Sequence, residues 1–399
     1  MTSGVSFAAI NIPFTINLSE NVTVTGTPRI TVDVGGNTRY ATYTSGTGTN
    51  SLTFTLSPNI GDVDLDGVTV SSPIDLNGGT MKDSAGNDAT LTFTPPNTSG
   101  IKINYPSLGM DFTNGTTGRY TLNGTVYNDL SSFLTASSGS FTRASIGTYY
   151  DSTGTLQTAS NNTPRFDYDT VTHAAKGILI EESRTNLILR ADDYTVSPWA
   201  EVIGGTASRS NTTTAFYNKA ALVTVSAATG GIRQRVSGLS TQIYSWSFYI
   251  ESANATSLVF RLENGAAAYG TICTVIFNPA SGVFSSLAGY SKVSAKALGS
   301  GWLVSLVLPT AGGTFFANLE VIGTNGNIFK YALPQFEQGS FSTSYIPTTS
   351  SAVTRAADTL TIPTGGWFSA ASGGLYAETY LSDISSSHIF AALTGAASY

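Results

Sequence analysis

The chain has 399 residues, and only 11% are charged, against about 25% in an ordinary soluble protein. Its 41% hydrophobic content is too high for a disordered chain, and a net charge of −6 with no basic stripe excludes nucleic acid and anionic membrane surfaces as partners. No apolar run reaches the ~18 residues of a membrane span, and one cysteine excludes an internal disulfide or a cysteine-rich metal site.

Length alone predicts two to four domains. The opening MTSGVSFAAINIPF carries no basic residue, the first being Arg29, so it does not read as a secretory signal peptide. Short β-branched and aromatic runs follow: Arg29-Ile-Thr-Val-Asp-Val, Ser51-Leu-Thr-Phe-Thr-Leu, Tyr244-Ser-Trp-Ser-Phe-Tyr-Ile and Trp302-Leu-Val-Ser-Leu-Val-Leu. Most alternate with period two, the pattern of half-buried strands. Turn dipeptides separate them: Gly35-Gly36, Asp66-Gly67, Asn77-Gly78, Asn264-Gly265 and Asn325-Gly326. Helical periodicity is almost absent, with one short turn predicted around Tyr127 to Leu134.

The fold class is therefore all-β, built of several β-sandwiches. Residues 1–102 form a first sandwich, ended by Pro95-Pro-Asn-Thr-Ser-Gly, where no strand can continue. Residues 103–190 are an irregular β-rich connection. Residues 191–362 form a second sandwich with Trp246 and Trp302 turned inward on its central strands. Cys273 is expected in its core beside Val275 and Phe277, since free cysteine is usually buried. Residues 363–399 start a further sandwich at Gly374-Leu-Tyr-Ala-Glu-Thr-Tyr-Leu. They are too few to close it, so a longer protein or partner chains are expected to complete it.

The side chains that carry chemistry are sparse. His173 and His388 sit in turn-like or Ser-rich stretches, away from any nucleophile-elbow pattern. Glu181 and Glu182 are adjacent and point to opposite faces of a strand. They cannot flank one glycosidic bond, and ion pairs with Arg165 or Arg184 are expected instead. No catalytic residue is assigned and no enzyme is expected. The spacing Asp62-Val-Asp64-Leu-Asp66-Gly67 matches the first half of a calcium loop. The position for a bidentate Glu is Pro73, which excludes an EF-hand. Two readings stay open: a looser Ca²⁺ site on Asp62, Asp64 and Asp66, extended by Asp75 or Asp33, or a solvated turn without cofactor. Sugar binding would need exposed aromatics. Trp199, after Ser197-Pro198, and Tyr269, within Gly265-Ala-Ala-Ala-Tyr-Gly, are the loop candidates.

Three stretches carry resemblances. Val22-Thr-Val-Thr-Gly-Thr-Pro-Arg-Ile-Thr-Val-Asp-Val, the run from Arg39 to Phe54, and Leu76-Asn-Gly-Gly-Thr-Met-Lys-Asp-Ser-Ala-Gly-Asn-Asp-Ala resemble a bacterial immunoglobulin-like repeat. That resemblance implies a spacer. Phe141-Thr-Arg-Ala-Ser, Tyr150-Asp-Ser-Thr-Gly, Thr163-Pro-Arg-Phe-Asp-Tyr-Asp and Gly177-Ile-Leu-Ile-Glu-Glu-Ser-Arg-Thr-Asn-Leu resemble a segment of tailed-phage structural and tail-fibre proteins. Gln234-Arg-Val-Ser-Gly-Leu, Gly301-Trp-Leu-Val-Ser and Gln335-Phe-Glu-Gln-Gly-Ser-Phe-Ser-Thr-Ser-Tyr-Ile-Pro-Thr are similar to carbohydrate-binding-type jelly rolls. Leu375-Tyr-Ala-Glu-Thr-Tyr-Leu is similar to the first strand of a concanavalin-like sandwich.

Together they imply a bacteriophage virion protein, a tail fibre or similar appendage. It would be homotrimeric, bound to other virion proteins, and would display β-sandwiches to a host-surface glycan. The alternatives are a capsid or tail decoration protein without host binding, a glycan depolymerase, and a bacterial surface adhesin.

Overall fold

The structure is a computed structural model describing residues 11–202, 206–264, 273–308, 315–368 and 377–379. Among the described residues are thirty-one strands and one helix, so the chain is all-β. Tyr269, His388 and most of the expected strand at 374–381 lie outside the described residues. The chain forms two compact units. The first holds 1–111, 117–139 and 362–374; the second holds 112–116, 140–361 and 375–399.

The first unit is organised by a six-stranded antiparallel sheet in the order Thr69–Asp75, Arg29–Val34, Asn37–Ser45, Thr49–Leu56, Ile12–Thr25, Thr80–Lys82. Alternation buries Ile30, Val32 and Val34 from one strand against Leu52, Phe54 and Leu56 from another. Gly35 and Gly36 join two of these strands with φ of 57° and 84°, the tight two-residue hairpin that their sequence predicts. The helix, Leu130–Ser137, starts three residues after the beginning of the turn expected at Tyr127 to Leu134. The Asp129 carboxylate caps it by accepting from the Ser132 amide, and that cap fixes the start. Leu130 and Phe133 bury its inner face, and Phe133 stacks on Tyr120 at 5.1 Å.

The second unit contains a sandwich of two six-stranded sheets. The front sheet runs Ala200–Glu201, Gly230–Leu239, Phe315–Gly323, Leu258–Asn264, Cys273–Asn278, Val283–Ala288. The back sheet runs Ala207–Thr212, Ala220–Val225, Ile328–Gln338, Tyr244–Ser252, Gly301–Val307, Lys292–Leu298. Their inner faces share one core, including Trp246, Phe248, Phe260, Val275, Phe277, Leu319 and Tyr331. Cys273 lies in that core as expected, and burial pushes its thiol up to about 11. Trp302 is only half-buried; its ring packs on the core edge and its indole N–H donates to Pro279 O at 2.8 Å.

The segment before the sandwich and the one after it return to each other. Ser140–Thr142 pairs with Thr359–Thr361, and Arg184–Asn186 pairs with Val353–Arg355. A second apolar layer lies on the outer face of the back sheet. It joins Ala220, Tyr249, Leu298 and Ala332 to Phe216 and Tyr345, with Tyr150 and Leu156 packed against it. The back sheet is thus covered by chain, while among the described residues no such apolar layer lies on the outer face of the front sheet.

Candidate functional site

Residues from the segments on either side of the sandwich converge on one buried charge cluster over the back sheet. Arg143, Arg165 and Asp358 have no exposed side-chain surface, and Arg355 has 1%. Arg143 Nη1 meets Asp358 Oδ1 at 3.0 Å, and Arg165 Nη2 meets Asp358 Oδ2 at 2.5 Å. Arg165 also reaches Glu181 Oε2 at 2.9 Å, and Arg355 lies 3.5 Å from both Glu181 and Asp358. The Ser344 hydroxyl donates to Glu181 at 2.6 Å. Burial would raise the Glu181 carboxyl, but Arg355, Arg165 and Ser344 together outweigh it and hold it below its ordinary value. The expected ion pairs of this region form: Glu181 with Arg165, and Glu182 with Arg184.

Polar anchors extend the cluster. Asn186 donates to Pro334 O at 3.0 Å and Ile346 O at 2.9 Å, and accepts from the Phe336 amide at 3.1 Å. Glu337 accepts from Thr343 N at 2.7 Å and Thr343 Oγ1 at 2.8 Å. Its carboxyl is raised, chiefly by burial. Buried charges need partners of opposite sign. Arg143, Arg165, Arg355, Glu181 and Asp358 each have one, although Arg165 Nε and Arg355 Nε donate to nothing among the described residues. Glu181 and Asp358 are bridged by Arg165, and Asp358 is fully buried, so no sugar can stand between them. The cluster fastens the segment before the sandwich to the one after it.

The front sheet presents the opposite face to solvent. Its register sets three rows across the strands. Ile322 pairs with Val259, and Val259 with Ile276, giving an apolar row. Arg233, Glu320, Arg261 and Thr274 make the next row, and Arg235, Asn318 and Glu263 the third. Arg261 Nε donates to Glu320 Oε2 at 2.5 Å, while Arg233 Nη1 stands 3.8 Å from Oε1. Glu320 Oε1 is buried and accepts no hydrogen bond. Asn318 Nδ2 donates to Glu263 Oε2 at 3.2 Å. The Arg235 guanidinium lies 3.4 Å over the centre of the Phe316 ring. Where the apolar and charged rows meet, a depression of about 300 Å³ opens, floored by Val259 and Ile322 and rimmed by Arg261, Thr274, Ser257 and Thr324.

The residues singled out in the sequence fall elsewhere. Trp199 was expected at a loop surface, but it is only 4% exposed. Its indole N–H donates to Arg190 O at 2.7 Å, and its ring packs on Tyr194 and Tyr331 at 5.2 and 5.7 Å. It offers no face to a sugar, because the loop folds it into the core where its one polar atom finds an acceptor. Tyr269 lies outside the described residues.

In the acidic turn, Asp62 takes Arg39 at 2.6 and 3.0 Å and the Asn59 amide at 2.8 Å. Asp64 takes the amides of Gly35 and Gly67 at 2.8 and 2.7 Å. Both glycines have positive φ, and a Cβ at either would strike backbone atoms. Asp66 is exposed, Asp33 accepts from the Gly36 amide, and Asp75 pairs with Arg29. These carboxylates diverge toward different partners and do not fit one cation. Among the described residues no group of three or more His, Cys, Asp or Glu could hold a metal ion. His173 is an exposed turn residue with φ of 57°.

Sequence reasoning missed Arg233, Arg235, Arg261 and Glu320. The available signal was a charge at mid-strand between core residues, as in Phe260-Arg261-Leu262 and Leu319-Glu320-Val321, within a chain poor in charge.

No protein-family model and no curated protein matches the chain. Among solved structures, it is similar to the bacteriophage CBA120 tailspike protein 4 enzymatically active domain, at 9% identity and a TM-score of 0.25 over 38% of this chain and 21% of that one. It is similar to the CBM22-1–GH10 modules of Clostridium thermocellum xylanase 10B complexed with xylohexaose, at 10% identity and a TM-score of 0.27 over 38% and 28%. It is also similar to TmCBM61 in complex with β-1,4-galactotriose, at 11% identity and a TM-score of 0.26 over 39% and 99%. The chain thus spans about a fifth of the tailspike domain and about a quarter of the xylanase modules.

Proposed function

We propose that this chain is a non-enzymatic, glycan-binding part of a tailed-phage appendage, with the front sheet of its sandwich as the binding face. The observation that carries the reading is the contrast between the two outer faces. The back face is covered by the motif segments, while the front face carries a charged row beside an aliphatic depression of about 300 Å³. A depression of that size suits a short glycan stretch, since ligand pockets run upward from roughly 300 Å³. The phage setting rests on the resemblance of the segment around Phe141 to Leu187. In a homotrimer, weak sites on each copy would combine into strong avidity. The test pairs immunogold labelling of phage particles, using an antibody to residues 191–348, with glycan binding by the purified full chain. Gold at fibres or tail tip together with glycan binding supports the reading. Gold spread over the capsid, with no glycan bound, overturns it in favour of decoration.

A further inference from the structure

We infer that the front face selects a carboxylate-bearing saccharide of the uronic-acid kind, with the carboxylate on Arg235 and a ring hydroxyl on Glu320 Oε1. This deepens the glycan reading and rests on it. The face carries three guanidinium groups, on Arg233, Arg235 and Arg261, against two carboxylates, on Glu263 and Glu320, in a chain whose net charge is −6. Both acids are engaged. Glu320 lies between Arg233 and Arg261, and Glu263 accepts from Asn318. Arg235 differs from its two neighbours. It is exposed, and among the described residues no carboxylate lies within ion-pair distance of it. Its guanidinium plane is instead held by the Phe316 ring 3.4 Å away.

Stacking of this kind fixes the plane and leaves the donor edge open, which is the geometry a planar carboxylate meets with two parallel hydrogen bonds. Holding the fork beforehand also lowers the entropy lost on binding.

The second observation is independent of charge surplus. Glu320 is 1% exposed, yet its Oε1 accepts no hydrogen bond. An unfilled buried acceptor is costly, and this one belongs to the face side of the sheet, in the row next to Arg235. A sugar hydroxyl can donate to Oε1 while Arg233 and Arg261 donate to other ring oxygens. The ring's apolar side then rests on Val259 and Ile322. One saccharide unit therefore finds an aliphatic floor and donors beside Glu320, and Arg235, two rows from that floor, meets the acid group of a neighbouring unit of the same glycan.

The experiment uses the full chain on an array that pairs uronate-bearing bacterial oligosaccharides with their carboxyl-reduced forms, each pair differing only in carboxylate against hydroxymethyl. The expected result is at least tenfold stronger binding to the acidic member of the bound pairs, weakening as salt is raised. Arg235→Gln should bring the two members to within about twofold, and Glu320→Gln should weaken both. Equal binding to both members, or a preference that survives Arg235→Gln, overturns the carboxylate assignment and leaves the glycan reading standing. Preference for sulfated over carboxylated chains also overturns it. Absence of binding to every pair removes both.

Discussion

The two outer faces of the same sandwich solve opposite problems. Over the back sheet, charged groups are buried completely and fastened to one another, three arginines to Asp358 and Glu181. Over the front sheet the arginines keep exposed surface, one buried carboxylate oxygen goes without a donor, and one guanidinium has an aromatic ring in place of an acid. Burial beneath covering segments gives rigidity at the cost of access. Exposed guanidinium groups on an uncovered stretch stay open to a ligand. The same residue types therefore act as a fastening on one side and as a recognition surface on the other, and burial decides which.

Breaking each side should show this difference. The largest effect is expected from Asp358→Ala, which leaves three buried arginines facing Glu181 alone. It should cost about 5 kcal/mol, the upper part of the range for breaking a buried ionic group, measured by chemical denaturation of the full chain. Trp199→Ala should cost about 3–4 kcal/mol, as large-to-small changes in a core do. Glycan binding per folded molecule should stay unchanged, which calorimetric titration can check.

The back face should also be sensitive to acid. Glu181 has a lower pKa folded than unfolded, so its contribution is present above the ordinary value of 4.5 and is lost as pH falls through the folded value. Glu337, raised by burial, works in the opposite direction. Denaturation midpoints between neutral pH and about pH 3 should fall less steeply in Glu181→Gln than in the parent. The smallest stability effect belongs to the front face. Arg235→Ala should cost about 0.5–1 kcal/mol, the worth of an exposed cation–π contact. The same variant should lower the affinity for acidic glycans at least tenfold, so stability and binding separate there and nowhere on the back face.

Period-two alternation made the strands legible, and with them the core. Arg29–Val34 and Tyr244–Ser252 form where their patterns predict, and Gly35-Gly36 turns as its dihedral freedom suggests. The pairing of Glu181 with Arg165 was legible from the acids' arginine neighbours, although both acids lie in the connection between Ala175–Ile178 and Arg184–Asn186 and not on a strand. Alternation says which side chains share a face, but not whether another segment covers it. That is why Glu320 and Arg261 passed unnoticed and Trp199 looked accessible. The cover depends on Asp358 meeting Arg143 across 215 residues, a distance over which no local pattern carries information.

The fastening also imposes an order on synthesis. Ser140 and its partner Thr361 are 221 residues apart in sequence, and the strand holding Ser140 must wait for the one holding Thr361. At ribosomal rates of 5–20 residues per second, the wait is about 10–45 s. During it, Arg143, Arg165 and Glu181 stand in water as ordinary charges and help keep an unpaired strand from associating with others. The charges that lock the finished unit thus serve first as its protection while it is incomplete.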